Sequence, residues 1–340
     1  MNTRPTATKP RLNALFIVGD GLFEKVYGPD ERRDLAARVH LLAPPCNAAT
    51  ITTCPELLRQ ADIILSSWGM ATMDAPFLAA APRLQAVFYG AGTVKGFVTD
   101  AFWRSGIVLC SAWGANAVPV SEFTLAAILF SLKRIFATNL AVRQAGAYPA
   151  RPPVAGAYGS TVGLISLGMI GRLVRERLRP FDLRVLVYDP FLTAEEAVAL
   201  GVTPASLPEL FRTADVVSLH APWLKETEGL ITGAMLDTMK PGATFINTAR
   251  GAIVREAEMI DVLQRRVDLT AVLDVTHPEP PLLGSPLYTL SNVFLTPHIA
   301  GSTDNECRRM GRYMIDELDR YLAGQPLKWQ VTEAQAALLA

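Results

Sequence analysis

The 340-residue sequence contains few of the residues that build metal sites or disulfide frameworks. It has four cysteines, which form no Cys-x-x-Cys pair, and four histidines. Zinc ligands usually come in closely spaced pairs, and disulfide-stabilised domains need a much higher density of cysteine. The sequence therefore predicts no metal site, and it favours a reduced, cytoplasmic protein.

The sequence also lacks an excess of charge of either sign and any long apolar run. Its 32 Lys and Arg balance 32 Asp and Glu, so the formal net charge is zero. Nucleic-acid-binding domains usually carry a basic excess, and a helix that spans a bilayer needs about 20 apolar residues. The best apolar run, residues 123–132, follows Glu122 and is too short. We therefore expect neither nucleic acid nor a membrane as a partner.

What the chain does contain is a regular alternation of short apolar runs with longer stretches that carry charges. This pattern is typical of strand–helix–strand units on a parallel sheet. The predicted strands of a first array are residues 12–18, 63–67, 84–89 and 107–110, and those of a second are 161–166, 184–189, 216–220, 243–247, 270–275 and 293–296. The fold class is therefore predicted to be α/β, with two doubly wound Rossmann-like domains, parallel sheets and an inter-domain cleft.

A long apolar helix is predicted between the arrays, over residues 120–137. An irregular stretch rich in Gly, Pro and Ala follows it, at residues 144–158.

A glycine turn follows the first strand of the second array. The dinucleotide-binding pattern Gly-x-Gly-x-x-Gly would place glycines at positions 166, 168 and 171, where this chain has Ser166, Gly168 and Gly171. Gly168 would let a pyrophosphate approach the helix N-terminus, and Gly171 would let the helix pack close to the strand. A serine at position 166 costs little if its φ is negative. Alone, the pattern favours nucleotide binding and an ordinary turn about equally.

The next strand favours a dinucleotide, because it ends in Asp189, 189 − 171 = 18 residues after Gly171. The pattern expects a carboxylate about 20 residues on, where it binds the ribose hydroxyls. The same charge would repel a 2′-phosphate, so NAD rather than NADP is the predicted cofactor. His220 ends a further strand and is expected to line the cofactor crevice.

Three more polar residues, Arg250, Glu279 and His298, follow predicted strands of the second array. Ligands of open α/β sheets bind outside the carboxyl ends of the strands, so these residues point to one crevice. An arginine can hold a carboxylate through two parallel hydrogen bonds. A histidine beside a glutamate can act as a general acid or base. Each residue alone is more often a surface group than a functional one, and the hypothesis depends on their joint occurrence.

These residues lie in motifs that resemble the D-isomer-specific 2-hydroxyacid dehydrogenases, over about residues 84–303. The matching stretches are Leu219-His-Ala-Pro222, Met239-Lys-Pro-Gly242, Ile246-Asn-Thr-Ala-Arg-Gly251, Leu273-Asp-Val275 with Glu279-Pro280, and Thr296-Pro-His-Ile-Ala-Gly301. The resemblance implies interconversion of a 2-keto acid and a D-2-hydroxy acid by hydride transfer with NAD. It implies that Arg250 binds the substrate carboxylate and that His298 is the acid/base paired with Glu279.

The resemblance also implies further residues that contact the cofactor and the substrate. The full set for the cofactor is Gly168, Met169, Ile170, Gly171, Asp189, His220, Pro222, Thr227, Thr248, Ala249, Arg250, Asp274, His298, Ala300 and Gly301. The set for the substrate is Trp68, Gly90, Ala91, Gly92, Thr93, Arg250 and His298. Backbone N–H groups of residues 90–93 are expected to bind the carboxylate.

The resemblance also implies a domain arrangement. Residues 1–117 and 305–340 would form the substrate-binding domain, and residues 118–304 would form an inserted NAD-binding Rossmann domain. A helix and arm at about residues 120–158 would join two copies into a homodimer.

Departures from the family pattern leave alternatives open. The stretch Phe88-Tyr-Gly-Ala-Gly-Thr-Val-Lys-Gly-Phe97 keeps the family's Gly-Ala-Gly but lacks the Asp-Asn-Ile-Asp that commonly follows, and Ser66-Ser-Trp-Gly69 is unusual. Lys95 either pairs with a surface acid or meets a second negative group of a larger substrate, such as a sugar acid or a phosphorylated acid. A dinucleotide-sensing, non-catalytic protein of the corepressor kind on the same scaffold is the alternative from another class.

Overall fold

The computed structural model describes residues 11–338, and the chain divides into two compact units. One unit runs to Asn116 and resumes at Thr303, and the other runs from Ala117 to Ser302. Within the described range, each unit is built on one sheet whose paired strands all run parallel. The two parallel sheets predicted from the sequence are therefore confirmed.

The first unit has five strands among its described residues. They are β1 (Asn13–Ile17), β2 (His40–Leu41), β3 (Ile63–Ser66), β4 (Ala86–Tyr89) and β5 (Val108–Ser111), in the order β2-β1-β3-β4-β5. The helices of this part of the chain are α1 (Phe23–Val26), α2 (Pro29–Arg38), α3 (Ala48–Thr52), α4 (Pro55–Gln60), α5 (Ala75–Ala80) and α6 (Asp100–Ser105).

The second unit has a seven-stranded sheet. Its strands are β6 (Thr161–Ile165), β7 (Arg184–Tyr188), β8 (Thr203–Pro204), β9 (Val216–Leu219), β10 (Thr244–Asn247), β11 (Thr270–Leu273) and β12 (Val293–Leu295), in the order β12-β11-β10-β9-β6-β7-β8. The helices that follow along the chain are α7 (Trp113–Leu132), α8 (Ile135–Ala145), α9 (Met169–Leu178), α10 (Ala194–Leu200), α11 (Leu207–Thr213), α12 (Gly233–Asp237) and α13 (Glu256–Arg265). The chain then returns to the first unit with α14 (Cys307–Leu322) and α15 (Glu333–Leu338).

Both faces of each sheet are buried, which explains why the strands are continuous apolar runs. In β1, Leu15 and Ile17 pack into one hydrophobic cluster, while Ala14 and Phe16 pack into another. Successive side chains of a strand point to opposite faces, so the two clusters lie on opposite sides of the sheet. The second unit has the same arrangement, because Leu164 and Ile165 of β6 belong to different clusters.

The strand order places the reversal point of the second sheet between β6 and β9. From β6 the chain first builds outward through β7 and β8, and then outward in the other direction through β9 to β12. Doubly wound sheets bind ligands in the crevice that opens at such a reversal, beyond the carboxyl ends of the strands. The glycine turn follows β6 and His220 follows β9, so both lie at this point.

The prediction of a helix over residues 120–137 was wrong at both ends. The helix starts at Trp113 and includes Pro119, although proline cannot donate the intrahelical hydrogen bond expected at that position. It ends at Leu132, because Arg134 adopts a φ of 52°, which an α-helix does not allow. A second helix, α8, then begins at Ile135.

By length and composition alone, α7 is the one helix in residues 11–338 that could cross a membrane. This is weak support for a span, since 56% of its most apolar window is buried inside the protein. The expectation that the protein has no membrane partner stays a prediction.

Candidate active site

The turn after β6 leads into the N-terminus of α9, where several backbone N–H groups are left for a ligand. Gly168 is the N-cap of this ten-residue helix, and no side chain among the described residues caps it. The first N–H groups of a helix have no intrahelical partner and carry partial positive charge. The N-terminus at Met169 and Ile170 can therefore bind the pyrophosphate of a dinucleotide.

The two glycines of this turn are required for different reasons. A Cβ on Gly171 would lie 2.2 Å from the Ser166 carbonyl oxygen, so only glycine lets the helix start this close to the strand. At Gly168, no described atom lies within 4 Å of the position that a Cβ would take, and φ is −62°. The fold itself thus does not require a glycine at position 168. The open space above it fits a ligand that approaches the backbone.

Ser166 does not have the negative φ that would let a serine replace glycine at this position without backbone strain. Its φ is 76°, in the left-handed region that favours glycine. The serine therefore adds strain to the turn, on the order of 1–2 kcal/mol. Its hydroxyl lies 3.4 Å from Oδ2 of Asp189, the oxygen that also accepts a 2.6 Å hydrogen bond from the Leu167 N–H. The same carboxylate accepts a bond from the Phe191 N–H through Oδ1, at 2.8 Å.

Asp189 is thereby fixed at the end of β7, with each oxygen engaged by the backbone. A carboxylate has about four acceptor positions, so it keeps capacity for the ribose hydroxyls that the sequence assigns to it. Its role in holding the cofactor stays a prediction.

His220 lies at the end of β9 as a buried, neutral imidazole. Only 7% of the residue is exposed, and burial lowers the pKa of the imidazole to about 3. Its Nε2 lies 3.0 Å from the Ser218 hydroxyl, and within residues 11–338 its Nδ1 is buried without a hydrogen-bond partner. Buried polar atoms are nearly always hydrogen-bonded, so this nitrogen calls for a ligand group or a water molecule.

The loop that follows β9 is shaped by Thr227. The Thr227 hydroxyl donates to the Pro222 carbonyl and accepts a 2.9 Å bond from the Leu224 N–H. Pro222 and Thr227 thus fold one compact turn directly after His220, which places all three predicted cofactor residues on the same strand end.

Arg250 follows β10 and is held by its own turn. The Asn247 amide donates to the Arg250 carbonyl at 3.0 Å, while its oxygen accepts a bond from the Ala249 N–H at 3.0 Å. One guanidinium nitrogen donates to the Ala249 carbonyl at 2.7 Å. Burial lowers the pKa of Arg250, and the charge of Glu279 opposes that shift, so the two side chains are electrostatic neighbours. The guanidinium keeps its charge at any ordinary pH.

Two contacts fix this turn against its surroundings. Thr248 is buried and its hydroxyl lies 3.1 Å from that of Thr124 in α7. A Cβ on Gly251 would lie 2.0 Å from the carbonyl carbon of Thr276. The backbones of the loops after β10 and β11 therefore touch at Gly251, which brings the Arg250 and Glu279 segments together.

Asp274 organises the loop that carries His298. The aspartate is 2% exposed at the end of β11. Its Oδ1 accepts bonds from the Thr296 hydroxyl (2.7 Å) and the Ile299 N–H (2.8 Å), and its Oδ2 accepts one from the Ala300 N–H (2.8 Å). The His298 N–H donates to the Asp274 main-chain carbonyl at 3.0 Å. Hydrogen bonds to Asp274 thus fix residues 296–300 at the end of β11, and Gly301 follows them half-buried.

His298 and Glu279 form the central contact of the site. Nδ1 of His298 lies 2.6 Å from Oε1 of Glu279, and both side chains are a little under half exposed. With Nδ1 bound to the carboxylate, Nε2 is the nitrogen available to a substrate. The φ of His298 is 54°, a conformation that is rare outside glycine and that tends to occur at functional sites.

A cavity of about 770 Å³ adjoins this pair in the second unit. Its lining includes Asp274, Thr276, Glu279, Tyr288, Phe294 and His298. Its size falls within the range of small-molecule sites, which combine apolar walls with a few converging polar groups. Within residues 11–338, no group of three or more His, Cys, Asp or Glu is arranged to hold a metal ion.

In the first unit, the predicted substrate residues follow the carboxyl ends of β3 and β4. Two buried serines hold the carbonyls of the Gly-Ala-Gly turn: the Ser67 hydroxyl donates to the Gly90 carbonyl at 2.9 Å, and the Ser111 hydroxyl contacts the carbonyls of Ala91 (2.8 Å) and Gly92 (2.5 Å). These bonds fix the carbonyl groups of all three residues of the turn.

The expectation that all backbone N–H groups of residues 90–93 bind a carboxylate needs a correction. The N–H groups of Gly90 and Ala91 already donate to carbonyls at the ends of β3 and β4, at 2.7 and 2.8 Å. For Gly92 and Thr93, no such backbone acceptor exists among the described residues. The prediction therefore narrows to these two N–H groups.

Trp68 is half-buried beside this turn, and its carbonyl accepts a bond from the Gly19 N–H at 2.8 Å. Lys95 is exposed three residues after Gly92. The sequence analysis missed Ser67, Ser111 and Asn247. Ser67 and Ser111 act through hydrogen bonds to residues about 20 positions away, which no local pattern indicates. Asn247 acts within its own turn, through bonds to Ala249 and Arg250.

The fold and the turn after β6 define a dinucleotide-binding α/β protein, and comparison with known proteins gives its family. Residues 125–300 match the D-isomer specific 2-hydroxyacid dehydrogenase, NAD binding domain. Among curated proteins, the D-3-phosphoglycerate dehydrogenase of Mycobacterium tuberculosis is 34% identical over 254 residues, which is 75% of this chain and 48% of that protein. The (S)-sulfolactate dehydrogenase of Chromohalobacter salexigens is 36% identical over 253 residues, or 74% of this chain and 81% of that protein.

Among solved structures, the TT0316 protein from Thermus thermophilus aligns with a TM-score of 0.74 at 27% identity, covering 94% of this chain and all of that one. The chain belongs to the D-isomer specific 2-hydroxyacid dehydrogenase family and contains its NAD-binding domain. It spans about half the length of the phosphoglycerate dehydrogenases that it matches.

The buried His220 predicts how stability depends on pH. The pKa of a histidine is about 6.5 in an unfolded chain and about 3 for His220 in the fold. Below pH 6.5 the unfolded chain binds a proton that the folded chain does not bind. The free energy of unfolding therefore decreases as the pH is lowered from 6.5 to about 3, by up to about 1.4 kcal/mol per pH unit. Urea unfolding of the protein without cofactor at pH 7 and pH 5 measures the slope.

The His220→Gln variant should lack this component of the pH dependence. His40→Gln, which changes an exposed imidazole of β2, is the matched control and should retain it. Equal slopes for the protein and His220→Gln would contradict the assignment.

Proposed function

We propose that this protein is an NAD-dependent dehydrogenase that interconverts a 2-keto acid and a D-2-hydroxy acid. The observation that carries the proposal is the 2.6 Å contact between Nδ1 of His298 and Oε1 of Glu279, with the half-buried guanidinium of Arg250 close to Glu279. A general acid paired with a carboxylate, beside a fixed cation, is the set of groups that reduction of a keto acid requires.

Arg250 would bind the substrate carboxylate and orient its carbonyl, because a guanidinium matches a carboxylate with two parallel hydrogen bonds. The N–H groups of Gly92 and Thr93 would bind the same carboxylate. Protonated His298, stabilised by Glu279, would deliver a proton from Nε2 to the carbonyl oxygen as it gains negative charge. In the oxidative direction, neutral His298 would accept the proton of the alcohol.

The residues at the reversal point of the second sheet fit NAD. The open space above Gly168 leaves room for such a ligand. The uncapped N–H groups at the start of α9, and Nδ1 of His220, which has no hydrogen-bond partner within residues 11–338, can each bind one of its polar groups. Asp189 would hold the adenosine ribose, and the backbone at Met169 and Ile170 would hold the pyrophosphate. When bound, the cofactor supplies or accepts the hydride.

A substrate with a second acidic group is the finer form of the proposal. The names of the two curated relatives denote hydroxy acids that carry a phosphate or a sulfonate besides the carboxylate. In this chain Lys95, exposed just after the Gly-Ala-Gly turn, is the cation that we assign to such a group.

We further propose that the protein is cytoplasmic and that it forms a homodimer through residues 120–158. Exposed apolar side chains of this segment, Phe130, Ile135, Tyr148, Val154 and Tyr158, support the dimer.

The direct test measures NADH oxidation by the purified protein across a panel of 2-keto acids, with NADPH in parallel. The panel should include glyoxylate, pyruvate, bulky and sugar-derived acids, and keto acids with a phosphate or a sulfonate. We expect turnover with NADH and the highest kcat/KM for a member with a second acidic group. Saturable NADH binding without turnover of any member would instead favour a non-catalytic dinucleotide sensor.

The His298→Ala variant should lose at least about 100-fold in kcat, because general acid–base catalysis contributes about 10²–10⁴-fold. NADH affinity, followed by fluorescence, should change little. His40→Ala is the matched control and should retain full activity. Turnover at the original rate in His298→Ala would exclude the acid/base role.

The Arg250→Lys variant keeps the positive charge but loses the planar pair of donors. We expect a rise in the KM for the keto acid of about tenfold or more, since hydrogen bonds to charged groups are worth about 1.5–3 kcal/mol. Steady-state kinetics at saturating NADH measure the change. Arg255→Lys, at an exposed arginine after the same strand, serves as the control; equal KM values for both variants would rule out the assigned role.

A further inference from the structure

A second cavity lies in the second unit at the amino-terminal ends of the strands, opposite the site described above. Its volume is about 230 Å³, and its polar lining comprises Ser131, Arg134 and Asp215, together with the backbone of Gly242. A single water molecule needs far less space than this. The cavity can therefore hold a small organic molecule.

Ser131 provides an unsatisfied polar atom at this cavity. The residue is 4% exposed, in the last turn of α7, and within residues 11–338 its hydroxyl is buried without a hydrogen-bond partner. Leaving a buried hydroxyl unpaired costs about 1–3 kcal/mol. A ligand in the cavity would supply the missing partner.

Arg134 lines the same cavity in a strained conformation. Its φ of 52° interrupts the helical chain between α7 and α8, and its N–H donates to the Ser131 carbonyl at 2.8 Å. The guanidinium lies against Gly242, where a Cβ would come within 3.2 Å of its carbon Cζ. No carboxylate in the described part of the chain forms an ion pair with it. A non-glycine residue in this region is a reason to look for function.

The charges around the cavity favour an anion. Asp215 is already neutralised, because Lys240 lies 2.9 Å from its Oδ1 and the Thr161 N–H donates to its Oδ2 at 2.8 Å. Among residues 11–338, Arg134 is thus the cation of the cavity lining that forms no ion pair. A guanidinium and a hydroxyl together are donors suited to a carboxylate or phosphate group.

We propose that this cavity binds a small oxyanion, either a carboxylate or a phosphate, through the Arg134 guanidinium and the Ser131 hydroxyl. The cavity and the candidate active site lie at opposite ends of β9 and β10, two four-residue strands that are each about 13 Å long. Asp215 lies directly before β9 and His220 directly after it. In the same way, Gly242 lies two residues before β10 and Arg250 three residues after it. The proposed ligand would therefore bind separately from a substrate at the candidate active site.

Isothermal titration of the whole protein, at constant ionic strength maintained with NaCl, tests the proposal. The probes are sodium malonate and sodium phosphate, which distinguish a carboxylate from a phosphate ligand. We expect saturable binding of at least one probe, weakened at least tenfold in Arg134→Gln and about two- to tenfold in Ser131→Ala. Arg143→Gln removes an exposed charge of α8 and should leave the affinity unchanged.

Arg250→Gln separates this site from the candidate active site. A probe that binds in the cavity should bind Arg250→Gln with unchanged affinity. A probe that binds only beside His298 would instead bind Arg250→Gln more weakly and Arg134→Gln with unchanged affinity. The proposal would be overturned by any of three results: binding that is lost in Arg250→Gln but kept in Arg134→Gln, equal weakening in Arg134→Gln and Arg143→Gln, or no saturable binding of either probe. Ser131→Ala removes one oxygen only, so it still tests the site if Arg134→Gln does not fold.

Discussion

The geometry of the candidate active site depends on one buried carboxylate, that of Asp274. A carboxylate that is 2% exposed must have its oxygens satisfied, and here three donors from residues 296–300 satisfy them. Those same bonds fix the loop in which His298 lies. Because removing one partner would leave a buried charge or a buried donor unpaired, the loop has little freedom to rearrange. The histidine that meets Glu279 is thereby held by the end of a neighbouring strand.

The three central residues come from three adjacent strands, which explains how they meet. In the register of the sheet, Asn247 of β10 pairs with Leu273 of β11, and Leu273 pairs with Leu295 of β12. Arg250, Glu279 and His298 follow these ends by three, six and three residues. The close approach of Gly251 to Thr276 then leaves no room for another loop between the first two segments. The parallel register and one glycine thus do most of the positioning.

Much of this arrangement could be predicted from the sequence, because strands buried on both faces are unbroken apolar runs. The strands β2 and β8, each two residues long, escaped prediction, since His40–Leu41 and Thr203–Pro204 form no such run. The bounds of α7 were mispredicted because the tertiary structure accommodates Pro119 and places Arg134 in a left-handed conformation. The serines that fix the Gly-Ala-Gly turn act over about 20 residues of sequence, and nothing local marks such a contact.

The left-handed residues show where the fold accepts strain. Among residues 11–338, four non-glycine residues have positive φ: Arg134, Ser166, His298 and Asp304. Each costs on the order of 1–3 kcal/mol, a cost that persists only where the surroundings dictate the conformation. Ser166 directs its hydroxyl toward Asp189, and His298 meets Glu279. In both cases the strained backbone brings a polar side chain to a carboxylate that the proposed chemistry uses. Arg134 shares the strain but forms no ion pair with a carboxylate among the described residues, so the same physical reasoning assigns its partner to a ligand.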